Sequence, residues 1–331
     1  MSEGGPSTNR VHVAYGGLLG FVIALVEGRW THPEGTCRFT RVHKMLGADC
    51  SNIYLVNIPK LTRDVEVLDA SLNRIRILRN NSFTTHYSLK FLYLGDNSIS
   101  IIEPGAFTPL TYLEVLDLSL NAIRDLPPLL PPTLRRLYLS ENPLQTVPLG
   151  QAKSLQYVSL AESFLSILPE LGELPHLVEL NLTGNPLETI TAGQIASFCH
   201  LENLRLPHQL LRSKYIHSCE CVKVLTWVTK YSIFVDPQIN CSVVDESHCA
   251  SNATVEEDAF AACQSAYQQQ AATHWAVVVC TALVVLVLAI VLTILWRRRW
   301  RRPQPTSGPS QEEVRKRRLL QKTQSKNSLK F

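Results

Sequence analysis

The sequence predicts an α/β solenoid, a horseshoe of stacked coils in which one short strand from each coil joins a parallel sheet. A pattern with apolar residues at its first, fourth and sixth positions and a polar residue at its ninth recurs every 21 to 24 residues. Each unit has one apolar edge that it cannot bury alone, so neighbouring units must stack. The segments begin at Val65, Leu89, Leu113, Leu134, Leu155, Leu177 and Leu201.

The ninth position predicts a ladder of side-chain amides between coils. An amide there can bond backbone groups that would otherwise be buried without partners, at a cost of about 1 to 3 kcal/mol each. Serine spans less than asparagine, so the fifth repeat is predicted to be locally weaker. Gln209 takes this position in the seventh segment, which is interpreted as a partial, closing repeat after six clear ones. The other ladder residues are Asn73, Asn97, Asn121, Asn142, Ser163 and Asn185.

Cysteines flank the repeats on both sides. The motifs are Cys37 and Cys50 with Leu55 and Ile58-Pro59 before the repeats, and Cys219-Glu220-Cys221, Leu225, Trp227, Cys241 and Cys263 after them. This arrangement resembles the capped ectodomain of extracellular leucine-rich repeat proteins over residues 37–263. The amino-terminal cap departs from the common four-cysteine version by having two.

The resemblance implies three disulfide bonds, which join Cys37 with Cys50, Cys219 with Cys241, and Cys221 with Cys263. Cys199 and Cys249 remain; either they bridge the last clear repeat to the cap, or Cys199 is a buried thiol. Eight of the nine cysteines precede the long apolar run described below, which indicates an oxidising compartment. In that context Cys219 and Cys221 favour disulfides over zinc, and no metal site is predicted.

Two apolar runs predict the topology. Residues 13–26 have the length of a signal peptide and are too short to span a bilayer, although an uncleaved anchor is the alternative. Residues 276–295 contain no charge and fourteen Leu, Ile or Val residues, which favour membrane insertion by about 4 to 8 kcal/mol. Arginines follow this run, so the positive-inside rule predicts a single-pass type I plasma-membrane protein with a cytoplasmic carboxy terminus. The predicted anchoring residues are Trp275, Trp296, Arg297, Arg298, Arg299, Arg301 and Arg302.

The basic charge is local to the tail. Residues 297–331 carry twelve basic and two acidic side chains, a net charge of +10, which leaves −6 for the rest of a chain whose total is +4. This distribution argues against nucleic-acid binding and favours contact of the arginine cluster with anionic inner-leaflet lipid. The composition predicts a disordered tail that is too short for a folded signalling domain. Its end, Leu329-Lys330-Phe331, fits the pattern that some PDZ domains accept.

Seven segments are therefore predicted. They are a signal peptide (1–30), an amino-terminal cap (31–64), the repeats (65–211), a cysteine-rich carboxy-terminal cap (212–263), a stalk (264–274), a transmembrane helix (275–296) and a disordered cytoplasmic tail (297–331). Four sequons, at Asn80, Asn181, Asn240 and Asn252, are candidate glycosylation sites. Asn181 falls on a predicted strand, where a glycan would screen the sixth repeat.

Strand residues that flank the inward leucines point to the concave side of the horseshoe. In repeats two to five these residues and their neighbours predict an aromatic and basic patch of Phe91, Tyr93, Arg135, Arg136, Tyr138 and Tyr157. Tyrosine and arginine anchor protein interfaces because they desolvate a large area and keep polar groups. The alternative is that the aromatic residues stack only to cover the sheet. Asp69 and Asp117, on the same side, are interpreted as a solvated face rather than an acid/base pair.

The sequence contains no hydrolase, zinc-protease or phosphate-loop motif, so no catalytic residue and no cofactor is predicted. The favoured function is adhesion or receptor-like recognition at the cell surface, with the concave face binding an extracellular or membrane protein. In layout the chain is also similar to the gamma subunits of large-conductance calcium-activated potassium channels. That resemblance implies an alternative, an auxiliary channel subunit that acts through its membrane helix and arginine cluster. An innate-immune co-receptor, whose partner supplies the signalling domain, is a third possibility.

Overall fold

The computed structural model describes residues 36–242, 249, 254–300 and 310–327. Ten short strands form one sheet, in which the first two pair antiparallel and every later neighbour pairs parallel. In spatial order they are β1 (Arg38–Val42), β2 (Met45–Asp49), β3 (Val65–Asp69), β5 (Phe91–Tyr93), β7 (Val115–Asp117), β8 (Arg136–Tyr138), β9 (Tyr157–Ser159), β10 (Glu179–Asn181), β11 (Asn203–Arg205) and β12 (Phe234–Asp236). The predicted solenoid of about seven turns is confirmed.

The convex side of the coils consists mainly of turns. Two strands there, β4 (Ile77–Leu78) and β6 (Ile101–Ile102), pair in parallel. The sixth repeat adds a short helix, α1 (Ala192–Ala196), which begins with a capping box of Thr191 and Gln194. The remaining helices are α2 (Cys219–Lys230), α3 (Thr254–Trp300) and α4 (Gln311–Asn327), and 3-10 turns lie at Leu210–Arg212 and Lys214–His217.

A column of aliphatic side chains runs through the coils. Leu92, Leu116 and Leu137, at the centres of successive strands, are completely buried. On the convex side Phe83 and Phe107 are equally buried, and their rings stack with centroids 6.1 Å apart. Burying one such side chain contributes about 1.5 to 3 kcal/mol, so each coil is stabilised by the next.

The asparagine ladder forms as predicted. Asn142, which is fully buried, donates from Nδ2 to the carbonyls of Leu118 (2.9 Å) and Leu139 (2.9 Å) and accepts at Oδ1 from the N–H of Ile123 (3.0 Å). One asparagine therefore satisfies groups in two successive coils. The same pattern recurs at Asn73, Asn97, Asn121 and Asn185.

Ser163 makes fewer of these bonds. Its Oγ donates to the carbonyls of Leu139 (3.3 Å) and Ala161 (3.1 Å). The N–H of Leu144, which corresponds to the N–H of Ile123 one coil earlier, donates instead to the carbonyl of Asn142 within its own turn (2.9 Å). The fifth repeat is thus joined to the fourth by a shorter side chain.

Replacing Asn142 with Ala is expected to lower the free energy of unfolding by about 3 kcal/mol, because it leaves buried backbone groups without partners. Ser163→Ala is the matched comparison and should cost less, about 1 kcal/mol, since fewer groups lose a partner. Denaturant unfolding of the full chain, followed by circular dichroism, measures both. Equal costs for the two variants would mean that Ser163 stabilises its coil as strongly as Asn142 does, which would contradict the predicted weaker fifth repeat.

The amino-terminal cap is a hairpin closed by a disulfide. Cys37 and Cys50 flank β1 and β2 and are joined, as the family resemblance implied. The cap is tied to the first repeat by His86, which is 2% exposed and whose Nε2 lies 3.0 Å from the carbonyl oxygen of Pro59. Burial lowers the pKa of His86, and the hydrogen bond to Pro59 only partly opposes this.

The lowered pKa of His86 predicts acid sensitivity. The unfolded chain binds a proton at this histidine near its ordinary pKa of about 6.5, whereas the folded chain binds it only at lower pH. Stability is therefore full above about pH 6.5 and falls as the pH drops below that value. His86→Gln should reduce the difference in melting temperature between neutral and mildly acidic buffer. His208→Gln, at an exposed position, serves as the control and should leave the difference unchanged.

Two of the predicted disulfides are wrong. The carboxy-terminal cap contains Cys199–Cys263, Cys219–Cys249 and Cys221–Cys241, in place of the expected Cys219–Cys241 and Cys221–Cys263, and Cys199 does not pair with Cys249. Cys199 is not a buried thiol either, since it is bonded to Cys263.

The geometry of α2 explains the pairing. Cys219 and Cys221 lie two residues apart on this helix and point about 200° apart around its axis. Cys221 faces the core, is fully buried and meets Cys241 after β12, so Cys219 is directed to another partner. Cys263 lies on α3 where that helix packs against the sixth repeat, which brings it to Cys199. Cysteine spacing alone does not encode these directions.

The predicted stalk is not a separate element. Helix α3 runs without a break from the cap through residues 264–274 into the apolar segment and ends at Trp300. Within the described ranges, this is the one helix long and apolar enough to cross a membrane, with a mean hydropathy of 3.2 over its most apolar window.

The tail departs from the predicted disorder, because residues 311–327 form α4. Ser310 accepts a hydrogen bond from the N–H of Glu313 (3.3 Å), and two glutamates occupy the first turn. Arginine, lysine, leucine and glutamine, which dominate the rest, are good helix formers, so local propensity outweighs the polar composition. Residues 1–30, Asn252, Arg301, Arg302 and Leu329-Lys330-Phe331 lie outside the described residues.

Candidate functional site

Three strands present the predicted aromatic residues on the concave face. At the centres of β5, β8 and β9, Leu92, Leu137 and Val158 are fully buried. Strand alternation then sends the flanking side chains to the opposite side of the sheet, and most of them are half-buried. Of the predicted patch, the concave face carries Phe91, Tyr93, Arg136, Tyr138 and Tyr157.

Tyr138 and Tyr157 form the densest part of this face. Their ring centroids are 4.9 Å apart and the ring planes are inclined by 40°. Burial raises the pKa of Tyr157, while side-chain hydrogen bonds with Ser159 and Asn181 oppose the rise. The pair therefore offers a rigid apolar surface with hydroxyl groups, which suits a protein interface.

Strand β7 separates the two halves of the predicted patch. It lies between β5 and β8, so Val115 and Asp117 stand between Phe91 or Tyr93 and the later tyrosines. The sequence-level patch omitted β7 because neither residue is aromatic or basic, although the repeat register places both on the same face. The concave site is thus a mixed surface of aromatic rings and carboxylates.

Asp117 is not the solvated group that was predicted. Its side chain is half-buried, and burial raises the pKa of its carboxyl against the opposing hydrogen bonds from Ser119. Tyr93, directly opposite Asp117, has its pKa raised to about 12, first by burial and then by the charges of Tyr138, Asp117 and Asp69. With its pKa at about 12, Tyr93 is neutral at neutral pH and offers a hydroxyl group beside the Asp117 carboxyl.

Arg135 does not belong to the concave face, which corrects the predicted patch. It precedes β8, where the two-residue alternation of the strand has not begun, and its side chain is exposed. It lines a groove of about 800 Å³ between α3 and the edge of the sheet where the strands begin. Tyr112, Glu114 and Trp275 line the same groove.

Helix α3 is attached to this edge by aromatic contacts that sequence analysis did not find. The Tyr267 ring packs between His176 (centroids 4.8 Å apart) and His200 (4.1 Å). His176 Nε2 also lies 2.8 Å from Gln270 Oε1. The only sequence signal was one tyrosine in the Gln/Ala-rich stretch interpreted as a stalk.

Three of the four sequons lie within the described residues. Asn80 and Asn240 are exposed. Asn181 is half-buried on β10 and accepts at Oδ1 from the Thr183 N–H (3.1 Å) and hydroxyl (2.9 Å). Since Asn181 is on the same face as Tyr157, a glycan there would border the aromatic pair.

In the carboxy-terminal part of the concave face, a negative and a positive side chain pair with each other. Arg205 Nε and Glu179 Oε1, on adjacent strands, form an ion pair at 3.1 Å. No group of three or more His, Cys, Asp or Glu side chains within the described ranges is arranged to hold a metal ion. The chemistry available on this face is therefore that of hydrogen bonding, apolar contact and charge.

Comparison with known proteins agrees with this architecture. Residues 63–128 match the family described as leucine rich repeat. Together with the stacked coils and the asparagine ladder, the match decides the fold. The described chain is a leucine-rich repeat solenoid.

Similar proteins include several of the small leucine-rich proteoglycan type. The chain is 35% identical to nephrocan of Mus musculus over 131 residues, which are 38% of this chain and 26% of nephrocan. It is 27% identical to mimecan of Coturnix japonica over 194 residues, 55% of this chain and 66% of mimecan. It is 30% identical to osteomodulin of Rattus norvegicus over 142 residues, 40% of this chain and 34% of osteomodulin. The chain thus spans from 26% to 66% of the length of these relatives.

Proposed function

We propose that this protein is a cell-surface recognition protein, which binds an extracellular or membrane protein through its concave face and has no enzymatic activity. The observation that carries the proposal is the contact pair of Tyr138 and Tyr157, half-buried and open on the concave side. Rigid tyrosines that lose little freedom on binding are typical interface anchors. The similar proteins are secreted or extracellular-matrix proteins, which supports an extracellular setting.

The anchor in this proposal is α3. Its apolar part, residues 276–295, has side chains exposed along its length, and no part of the most apolar window is buried in the solenoid. Such a surface needs lipid to cover it. The solenoid is then held outside the cell and the basic segment inside, with adhesion or receptor-like recognition as the role of the ectodomain.

Proximity labelling on intact cells tests this function. A peroxidase fused to the amino end of the mature ectodomain should biotinylate a defined set of surface proteins. The variant in which Tyr93, Tyr138 and Tyr157 are replaced by Ala should reach the surface equally well and lose part of that set. An identical set for both chains, or absence of the protein from the cell surface, would contradict the proposal.

A second candidate, an auxiliary subunit of an ion channel, is supported by the continuity of α3. Because the same helix forms the cap contacts at Tyr267 and the apolar segment, it can carry a restraint from the ectodomain to the basic residues that follow. A chimera of residues 270–302 with an unrelated ectodomain separates the two functions. If the chimera alone shifts the voltage dependence of a co-expressed calcium-activated potassium channel, the channel-subunit function is supported. If the effect requires the original ectodomain, the recognition function is supported.

A further inference from the structure

Carboxylates and tyrosines alternate along one row of the concave face. Asp69 stands opposite Tyr93, Tyr93 opposite Asp117, and Asp117 opposite Tyr138 on successive parallel strands. Neighbouring strands are about 4.8 Å apart, so the two carboxylates lie roughly 10 Å apart with the Tyr93 ring between them. Asp49 extends the row by one more carboxylate, next to Asp69. We call Asp69, Tyr93, Asp117 and Tyr138 the acidic–aromatic row.

The carboxylates of this row lack basic partners. Among the described residues neither Asp69 nor Asp117 forms an ion pair, whereas Glu179 in the later part of the same face is paired with Arg205. Their hydrogen bonds come from the serine two residues further along: Ser71 N–H (3.0 Å) and hydroxyl (2.6 Å) to Asp69, and Ser119 N–H (2.9 Å) to Asp117. A carboxylate accepts about four hydrogen bonds, so each keeps capacity for a ligand.

We propose that the acidic–aromatic row binds an arginine side chain of the protein partner. The planar guanidinium can stack on a tyrosine ring and donate two hydrogen bonds to a carboxylate at the same time, which the ammonium of lysine cannot do. Each carboxylate has a tyrosine directly beside it in the row, so both requirements are met. This inference rests on the proposed concave-face function and names the chemistry of its partner.

Partial burial strengthens the case for a positive ligand. A half-buried carboxylate has lost part of its hydration, and burial is the main reason that the pKa of Asp117 is raised. A cation that enters the row restores favourable electrostatics for the ionised form. Arg136 lies in the neighbouring row of the same face, so its positive charge opposes a bound cation, and the two carboxylates of the acidic–aromatic row have to outweigh it.

Selection of random short peptides displayed on phage tests this inference on the full chain in detergent micelles. Enriched peptides are expected to share an arginine. Replacing that arginine with the neutral analogue citrulline in the synthetic peptide should weaken binding at least about tenfold, measured by fluorescence anisotropy. The double variant Asp69→Asn/Asp117→Asn should show the same loss for the arginine peptide and no further loss with citrulline, as expected when both changes remove one interaction.

The matched control is Asp96→Asn/Asp125→Asn, which makes the same change in charge at two exposed positions outside the row and should bind like the original chain. Peptides that need Tyr93, Tyr138 and Tyr157 but show no dependence on arginine or on the two aspartates would overturn the inference and leave the proposed function standing. Peptides that do not need those tyrosines, or no enrichment at all, would count against both. Circular dichroism of each variant establishes that it is folded.

Discussion

Replacing Tyr93, Tyr138 and Tyr157 together with alanine is expected to weaken binding of the partner at least about a hundredfold, because central aromatic anchors supply most of the energy of such interfaces. The three side chains lie on the concave face of the sheet, so the replacements leave the buried leucine column beneath them unchanged. Secretion and surface level should therefore stay close to those of the original chain. Staining of cells with the partner found by proximity labelling measures the loss, and an antibody to the ectodomain measures the surface level.

The control for this experiment removes three aromatic rings elsewhere. Tyr54, Tyr112 and Phe164 are 67%, 62% and 75% exposed and lie outside the strands of the sheet. Their replacement with alanine should leave binding unchanged. If the two triple variants bind alike, the concave face is not the recognition surface.

The repeat register could be predicted residue by residue because it depends on local physics. A leucine at each inward position and an asparagine at each ladder position have one environment that suits them, so Leu92 and Asn142 lie where the period places them. The concave positions of Tyr93, Tyr138 and Tyr157 follow from the same period. Arg135 was misplaced because it lies one residue before β8, and the boundary of a three-residue strand is not encoded in the period.

The carboxy-terminal cap could not be predicted in the same way. Its disulfides depend on which side of α2 each cysteine faces and on where α3 returns to the solenoid, and both are tertiary properties. The contact of Tyr267 with His176 and His200 likewise joins residues about 70 to 90 positions apart, with no periodic signal. The period places Asp117 between Tyr93 and Tyr138, but how far those rings bury its carboxyl is a tertiary property that the period does not encode.

The concave face and the apolar segment of α3 are connected through the cap. Cys199–Cys263 and the aromatic contacts of Tyr267 fix α3 to the last coils, and the apolar segment begins within about three turns of Tyr267. If α3 spans a membrane as we propose, the orientation of the concave face relative to that membrane is set by this junction and not by a flexible linker. In a protein that must meet a partner on a neighbouring surface, such a restraint limits the angles of approach and lowers the entropy lost on binding.

Introducing three arginines in the middle of the apolar segment, Val284→Arg, Leu286→Arg and Leu288→Arg, is expected to release the protein from the membrane. Each arginine near the centre of a spanning helix costs about 2.5 to 3.5 kcal/mol, and together they outweigh the roughly 4 to 8 kcal/mol that favours insertion of the original segment. The chain should then appear in the culture medium, with its disulfides formed, instead of in the alkali-resistant membrane fraction. Immunoblots of medium and membranes measure the ratio.

The control replaces the same three residues with isoleucine, which keeps the segment apolar and should keep the protein in the membrane. An original chain that is already found in the medium, as secreted relatives would be, would contradict the anchor while leaving the concave face intact. The released variant also tests whether the concave face binds without the membrane anchor. If it still binds the partner on cells, the solenoid alone is sufficient for recognition. If binding is lost with the anchor, recognition depends on the membrane helix, and the channel-subunit function is favoured.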